Sequence, residues 1–173
     1  MCFLRYIIYI SEVIISFIIQ SAPCLMPEIS GGRAVLLIPA ALSIAVFEND
    51  IASMIFAALC GYLADCSYSG TVGFYAVCLV VICFFVSVLT HEYIQTNIFT
   101  VICISFVAVS IIIFLQFVFY YLAAGYDYAW QFFLKHYVSR IVCTSAFMPV
   151  FYCINNFIKA KDKHKKSMSI RNF

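Results

Sequence analysis

Few side chains in this sequence could do chemistry, and their spacing narrows what that chemistry can be. Arg5, Glu12, Ser16 and Gln20 follow one another at intervals of seven, four and four residues. On a helix of about 3.6 residues per turn, that spacing lines them along one face. Such a stripe inside an apolar helix suits a proton or ion path, or a set of interhelical hydrogen bonds. A second series, Ser53, Ala57, Gly61 and Asp65, recurs every four residues and ends in a carboxylate. Small side chains at that interval let two helices approach closely. Asp65 precedes Gly70 and Gly73. Its carboxylate is placed to accept hydrogen bonds from N–H groups of the following turn, and the glycines give the backbone freedom for a tight reversal.

Enzyme signatures are absent from the sequence. His91-Glu92 opens like a zinc-protease motif, but no second histidine completes it. No serine, histidine and acid fall at a triad-like spacing, and no glycine-rich phosphate loop occurs. The nine cysteines (Cys2, Cys24, Cys60, Cys66, Cys78, Cys83, Cys103, Cys143 and Cys153) form no CxxC pair, and most lie inside apolar runs. Zinc and iron–sulfur sites need closely spaced thiolates, so here cysteine reads as a small buried hydrophobe rather than a ligand or a disulfide partner. The expectation is a protein without catalytic residues, metal or cofactor.

The elements that must position these residues follow from composition. Of 173 residues, 65% are hydrophobic and 10% charged, against about 25% charged in an ordinary soluble domain. The mean hydropathy is +1.04. A soluble domain of this length has too little interior to hide that much apolar surface, so the surrounding solvent is lipid. This excludes a soluble enzyme, a nucleic-acid-binding module and a disordered chain. The fold class expected is an all-α integral membrane protein, a bundle of about six transmembrane helices. The spans read Phe3–Cys24, Ala34–Phe47, Ile51–Cys66, Val72–Leu89, Ile98–Ala123 and Ile141–Ile158. The first, with Arg5 near its start, reads as an uncleaved helix rather than a signal peptide, since Pro23 before Cys24 is wrong for lipoprotein processing. The second and third are short for a hydrocarbon core that takes about 20 residues to cross. They suit either thin crossings or a re-entrant hairpin covered by protein.

From Lys159 onward the sequence carries Lys159, Lys161, Lys163, Lys165, Lys166 and Arg171 against one acid, Asp162. Directly after an apolar span, this run reads as a cytoplasmic anchor near anionic headgroups rather than a nucleic-acid-binding segment. The chain thus divides into a transmembrane domain, residues 1–158, and a basic cytoplasmic tail, residues 159–173. An even number of spans places both termini inside, with Glu48–Asp50 and Thr90–Asn97 as inner loops. Met26–Arg33, Ser67–Thr71 and Ala124–Arg140 become outer loops. The last of these carries Tyr126, Tyr128, Trp130, Phe132, Phe133 and Tyr137 among Asp127, Lys135 and Arg140. Amphipathic rings favour the headgroup level, so the segment reads as a helix lying in the interface, either a plain aromatic belt or a docking surface.

The middle of the chain carries a pattern of its own. Pro27 and Arg33 precede an apolar run containing Pro39; Glu48 follows at a helix break, then Gly61-Tyr62-Leu63-Ala64-Asp65, Gly70 and Gly73-Phe74. This resembles the rod shape-determining protein MreD family, in which a short third helix reads glycine, three residues, aspartate, before a glycine-rich turn. The length, the six-span layout and the short basic tail agree with it; the distinctive residues lie between Pro27 and Phe74. The family is more leucine-rich and has a second glycine near that aspartate, where this chain has Tyr62 and Ala64; with its aromatic content and many cysteines, the chain resembles a divergent member. The resemblance implies a non-enzymatic component of the cell-elongation machinery in the bacterial cytoplasmic membrane. Such a component binds the bitopic protein MreC, and through it the peptidoglycan polymerase and transpeptidase, linking wall synthesis to the actin-like MreB filament. Gly61, Asp65, Gly70 and Gly73 would then shape the fold. Membrane lipid is the other partner expected, and nucleic acid is not.

The alternative is a substrate-binding subunit of an energy-coupling-factor vitamin transporter, which has a similar size and layout. Those proteins carry an Ala-xxx-Ala contact in the first helix. Here that helix has only Ala22, and the spacing occurs in the second, at Ala41 and Ala45. A pocket on the outer face would need Asp65, Tyr68, Tyr126, Asp127 and Trp130 to converge.

Overall fold

A computed structural model describes residues 2–22, 33–48, 50–68, 73–93, 97–122 and 133–171, and the described residues are helical apart from short connections. Helix α1 is Cys2–Ser21, α2 Leu37–Phe47 and α3 Asp50–Tyr68. Helix α4, Phe74–Val88, runs on through a π-helical turn, Leu89–Tyr93, and α5, Ile98–Phe117, through another, Val118–Leu122. A third π-helical turn, Phe133–Tyr137, leads into α6, Val138–Ala146, and α7 is Met148–Arg171. The helical state follows from the solvent: lipid offers the backbone no hydrogen bonds, so each segment satisfies its own N–H and C=O groups.

Four helical stretches among the described residues are long and apolar enough to cross a membrane: Asp50–Ser67, Phe74–Glu92, Ile98–Tyr120 and Val138–Ala160. At 20 residues, α1 also has the length of a span. The expectation that the third span is short is corrected here. Asp50 starts α3 ahead of the apolar run, where an acid suits the positive helix end, and the helix extends to 19 residues. The last span is also not one uninterrupted helix. Pro149 has no N–H to give the Ser145 carbonyl, and the helix breaks at Phe147, whose N–H bonds Thr144 O at 3.4 Å. Pro149 then occupies the first turn of α7, where a missing N–H costs nothing.

Helix α2 remains short. Its 11 residues rise about 16 Å, roughly half the thickness of the hydrocarbon core. Every one of them is buried. The sequence Leu-Ile-Pro-Ala-Ala-Leu-Ser-Ile-Ala-Val-Phe has no polar face, and a helix apolar on all sides belongs inside. It touches α1, α3, α4, α5, α6 and α7. The bundle is therefore built around a half-length helix, and the apolar residues on its outside, such as Ile14, Ile55, Val77, Phe85 and Phe114, face lipid.

Candidate functional site

Many of the polar side chains inside the bundle gather at three levels along α2. At its N-terminal end, Gln20 Oε1 accepts the Leu37 N–H at 3.3 Å, and Thr144 Oγ1 accepts the Val35 N–H at 3.2 Å. The first N–H groups of a helix have no partner within it, so α1 supplies one for Leu37, while α6 holds Val35 in the segment leading into the helix. At the midpoint, Asn155 of α7 donates through Nδ2 to Ser43 Oγ at 2.7 Å and to Glu12 Oε1 at 3.4 Å. Ser43 passes its own proton to Ala40 O at 2.9 Å. All three side chains are buried.

The C-terminal end of α2 is the most polar. Glu48 leaves the helix in an extended conformation, its N–H still bonded to Ile44 O at 2.9 Å. The Arg5 guanidinium pairs with both oxygens of its carboxylate, Nε to Oε1 at 2.7 Å and Nη2 to Oε2 at 2.7 Å. Tyr9 OH adds a bond to Oε1 at 3.0 Å. The Glu48 carbonyl accepts from His91 Nε2 at 2.9 Å, and the Phe47 carbonyl from Lys159 Nζ at 3.5 Å. Lys159 also lies 5.2 Å from the centre of the Phe47 ring, a cation over a π face. Ser87 Oγ bonds Asp50 Oδ1 at 2.6 Å, tying α4 to the start of α3. Donors and cations thus collect where the helix carries partial negative charge. Glu48, read from the sequence as an inner-loop residue, is only 4% exposed. The neighbouring polar residues gave it a loop's composition, while its ion pair with Arg5 depends on a contact 43 residues away.

The stripe on α1 therefore faces α2. Arg5 reaches its C-terminal end, Glu12 its middle and Gln20 its N-terminal end. Ser16 bonds within its own helix, donating to Glu12 O at 2.8 Å. Tyr9, Ser43, Glu48, Ser87, His91, Thr144 and Asn155 complete these contacts and had not been singled out by spacing. A polar residue inside an apolar run was the signal available for Ser43 and Asn155.

The second series packs α3 on α4. Ser53, Ala57, Gly61 and Asp65 are all buried, with Ser53 Oγ bonded to Asp50 O at 2.9 Å. Gly61 marks the closest approach: a Cβ there would stand 2.3 Å from Ala76 Cα and 2.7 Å from Tyr75 O. Asp65 accepts from three backbone N–H groups at the start of α4, those of Gly73 at 2.9 Å, Tyr75 at 3.0 Å and Ala76 at 3.3 Å. A carboxylate carried on one helix thereby caps the next. Gly73 has φ of 109°, a left-handed conformation open to glycine. Gly70 lies outside the described residues, as do Tyr126, Tyr128, Trp130 and Phe132.

Phe133 is described, and it packs inward. Its ring is 4.8 Å from Phe117 on α5 and stacks on Tyr137 at 5.8 Å. Nearby, Tyr75 OH donates to Gln116 Oε1 at 2.6 Å, and Arg140 donates to the same oxygen and to Tyr75 OH, both at 3.1 Å. This cluster ties α4, α5 and α6 together. Among the described residues no group of three His, Cys, Asp or Glu side chains converges as a metal site would. Asp65, which an outer substrate pocket would need, already accepts from three N–H groups.

Fold and site together define a polytopic helical membrane protein whose interior polar groups hold its own helices in register around a short central one. A family model for the rod shape-determining protein MreD matches residues 2–158, and the chain belongs to that family. It is thus a shape-determining protein of the cytoplasmic membrane. No curated protein and no solved structure matches the chain.

Proposed function

We propose that this chain is a non-enzymatic scaffold of the cell-elongation machinery, binding an MreC-like bitopic protein and through it joining wall synthases to the cytoskeleton. The observation that carries the reading is the family match over residues 2–158. The interior agrees with it: the polar side chains bond to one another and to helix ends, an arrangement suited to holding a shape that partners recognise. Depleting the chain from the cells that make it should turn rods into spheres within a few generations, and re-expression should restore them. A detergent pull-down from the same cells should recover a single-span protein with wall-synthesis enzymes. Unchanged cell width on depletion, or recovery of ATPase subunits in place of those enzymes, overturns the reading.

The proposal also places both termini in the cytoplasm, with the basic tail as the anchor. Replacing Lys159, Lys161, Lys163, Lys165 and Lys166 by glutamine should expose a fraction of the C-termini on the outer face. Labelling a C-terminal tag with a membrane-impermeant reagent reads this directly. A tail that stays wholly inside refutes the anchor.

A further inference from the structure

Glu12 of α1 and Asn155 of α7 are joined by one weak bond, from Asn155 Nδ2 to Glu12 Oε1 at 3.4 Å. Their other oxygens, Glu12 Oε2 and Asn155 Oδ1, meet no donor among the described residues. Both side chains are buried, and Glu12 stands midway along α1, about 15 Å from either end. The hydroxyls nearby are committed: Ser43 donates to Ala40 O at 2.9 Å and Ser16 to Glu12 O at 2.8 Å. A carboxylate at this depth would need a cation. Arg5, the one cationic residue in the α1 sequence, lies two turns away and pairs with Glu48. Helix α2 has no charged residue, and Lys159 of α7 bonds Phe47 O at the far end of α2. Tyr9 of α1 and Cys60 of α3, also within electrostatic reach of Glu12, have no positive charge to give.

A charge buried without a counter-ion is costly enough that a carboxyl takes up a proton instead. A protonated carboxyl and a primary amide are complementary: the amide N–H donates to the acid's carbonyl oxygen, and the acid's O–H donates to the amide oxygen. The first of those bonds is in place, and the two unpartnered oxygens are the pair that the second would join. We propose that Glu12 is a neutral acid whose Oε2 carries a proton and donates it to Asn155 Oδ1, forming a two-bond latch between α1 and α7. One hydrogen then satisfies both oxygens. Asn155 Nδ2 also donates to Ser43 Oγ at 2.7 Å, so the latch fixes the middle of α2 as well. Glu12 is in this role a positioning residue. Its proton is held between two helices and not passed along the α1 stripe, where Ser16 gives its own to a backbone carbonyl. The inference rests on these side chains and is independent of the scaffold reading.

Infrared difference spectroscopy of the full chain in liposomes at neutral pH tests this. The carbonyl stretch of a protonated carboxyl lies well above that of a carboxylate, and hydrogen bonding lowers it. Subtracting the spectrum of Glu12→Gln from that of the unaltered chain should leave one acid band, at the hydrogen-bonded position. In Asn155→Leu that band should rise to the free-acid position, because both latch bonds are gone. Glutamine at position 12 has an N–H donor where the acid has its O–H. The thermal midpoint of Glu12→Gln in detergent should therefore match that of the unaltered chain, while Glu12→Leu falls below it. A carboxylate band in the difference spectrum overturns the proposal. So does an acid band already at the free-acid position in the unaltered chain, a result that does not need Asn155→Leu to fold. A midpoint higher in Glu12→Gln than in the unaltered chain would mean that a buried charge had been removed, and overturns it too.

Discussion

Gly61→Leu should leave the chain inserted in the membrane but abolish its recovery as a single folded species in mild detergent. The reason lies in what a side chain at this position would strike. The three closest atoms, Ala76 Cα at 2.3 Å, Ala76 N at 2.6 Å and Tyr75 O at 2.7 Å, all belong to the backbone of α4. A flexible side chain could rotate away, but backbone cannot, so α4 must move as a body. That movement pulls Gly73, Tyr75 and Ala76 away from Asp65, and the helix start loses its cap along with its packing. Overpacking alone typically costs about 1–3 kcal/mol, and loss of the cap adds about 1. Gly61→Ala should already lower the thermal midpoint, with leucine far worse. Size-exclusion profiles and thermal midpoints of the two variants decide it: a wild-type profile for Gly61→Leu would show that α3 and α4 do not approach this closely.

The Arg5–Glu48 pair should show the largest effect of any charge change, with an order that identifies its origin. Glu48 is 4% exposed and Arg5 23%. Arg5→Leu strands a carboxylate to which, among the described side chains, Tyr9 OH is the donor left, and breaking a buried pair from one side costs about 3–5 kcal/mol. Glu48→Gln takes the carboxylate from Arg5 instead, whose long side chain lies at the start of α1 and can extend toward headgroups. Its loss should therefore be the smaller. Arg5→Leu combined with Glu48→Leu should regain at least half of what Arg5→Leu loses, because no isolated charge then remains. Thermal unfolding in detergent of the three variants measures this order. A double variant no more stable than Arg5→Leu alone would mean that the pair's remaining contacts, such as that with Tyr9, outweigh its charge.

Helices were legible in the sequence because lipid leaves the backbone no other choice, and apolar runs mark where they lie. The burial of α2 could be anticipated from its lack of a polar face. Its surroundings could not, since six other helices define them. The extent of α3 was hidden because its ends, Asp50 and Ser67-Tyr68, look like loop text while continuing a helix. Pro149 was visible, and the break beside it is the ordinary consequence of a missing N–H. Within the site, spacing alone shows that Arg5, Glu12, Ser16 and Gln20 share a face. What that face meets is tertiary information: Glu48 lies beyond a second helix, and Asn155 is 143 residues from Glu12. Asn155 also sits beside Asn156, and only the fold decides that the first is buried and the second exposed.

The same long reach bears on how the protein is made. Helix α2 is too short to lodge across a bilayer unaided, and its middle is secured by Asn155, which follows Ser43 by 112 residues. A ribosome adding about 5–20 residues per second takes roughly 6 to 20 s to cover that distance. Throughout that interval α1, α3 and α4 can be in the membrane while the centre of the bundle still awaits its last contact. Until the final span arrives, the half-length helix rests on its packing against the helices made before that span.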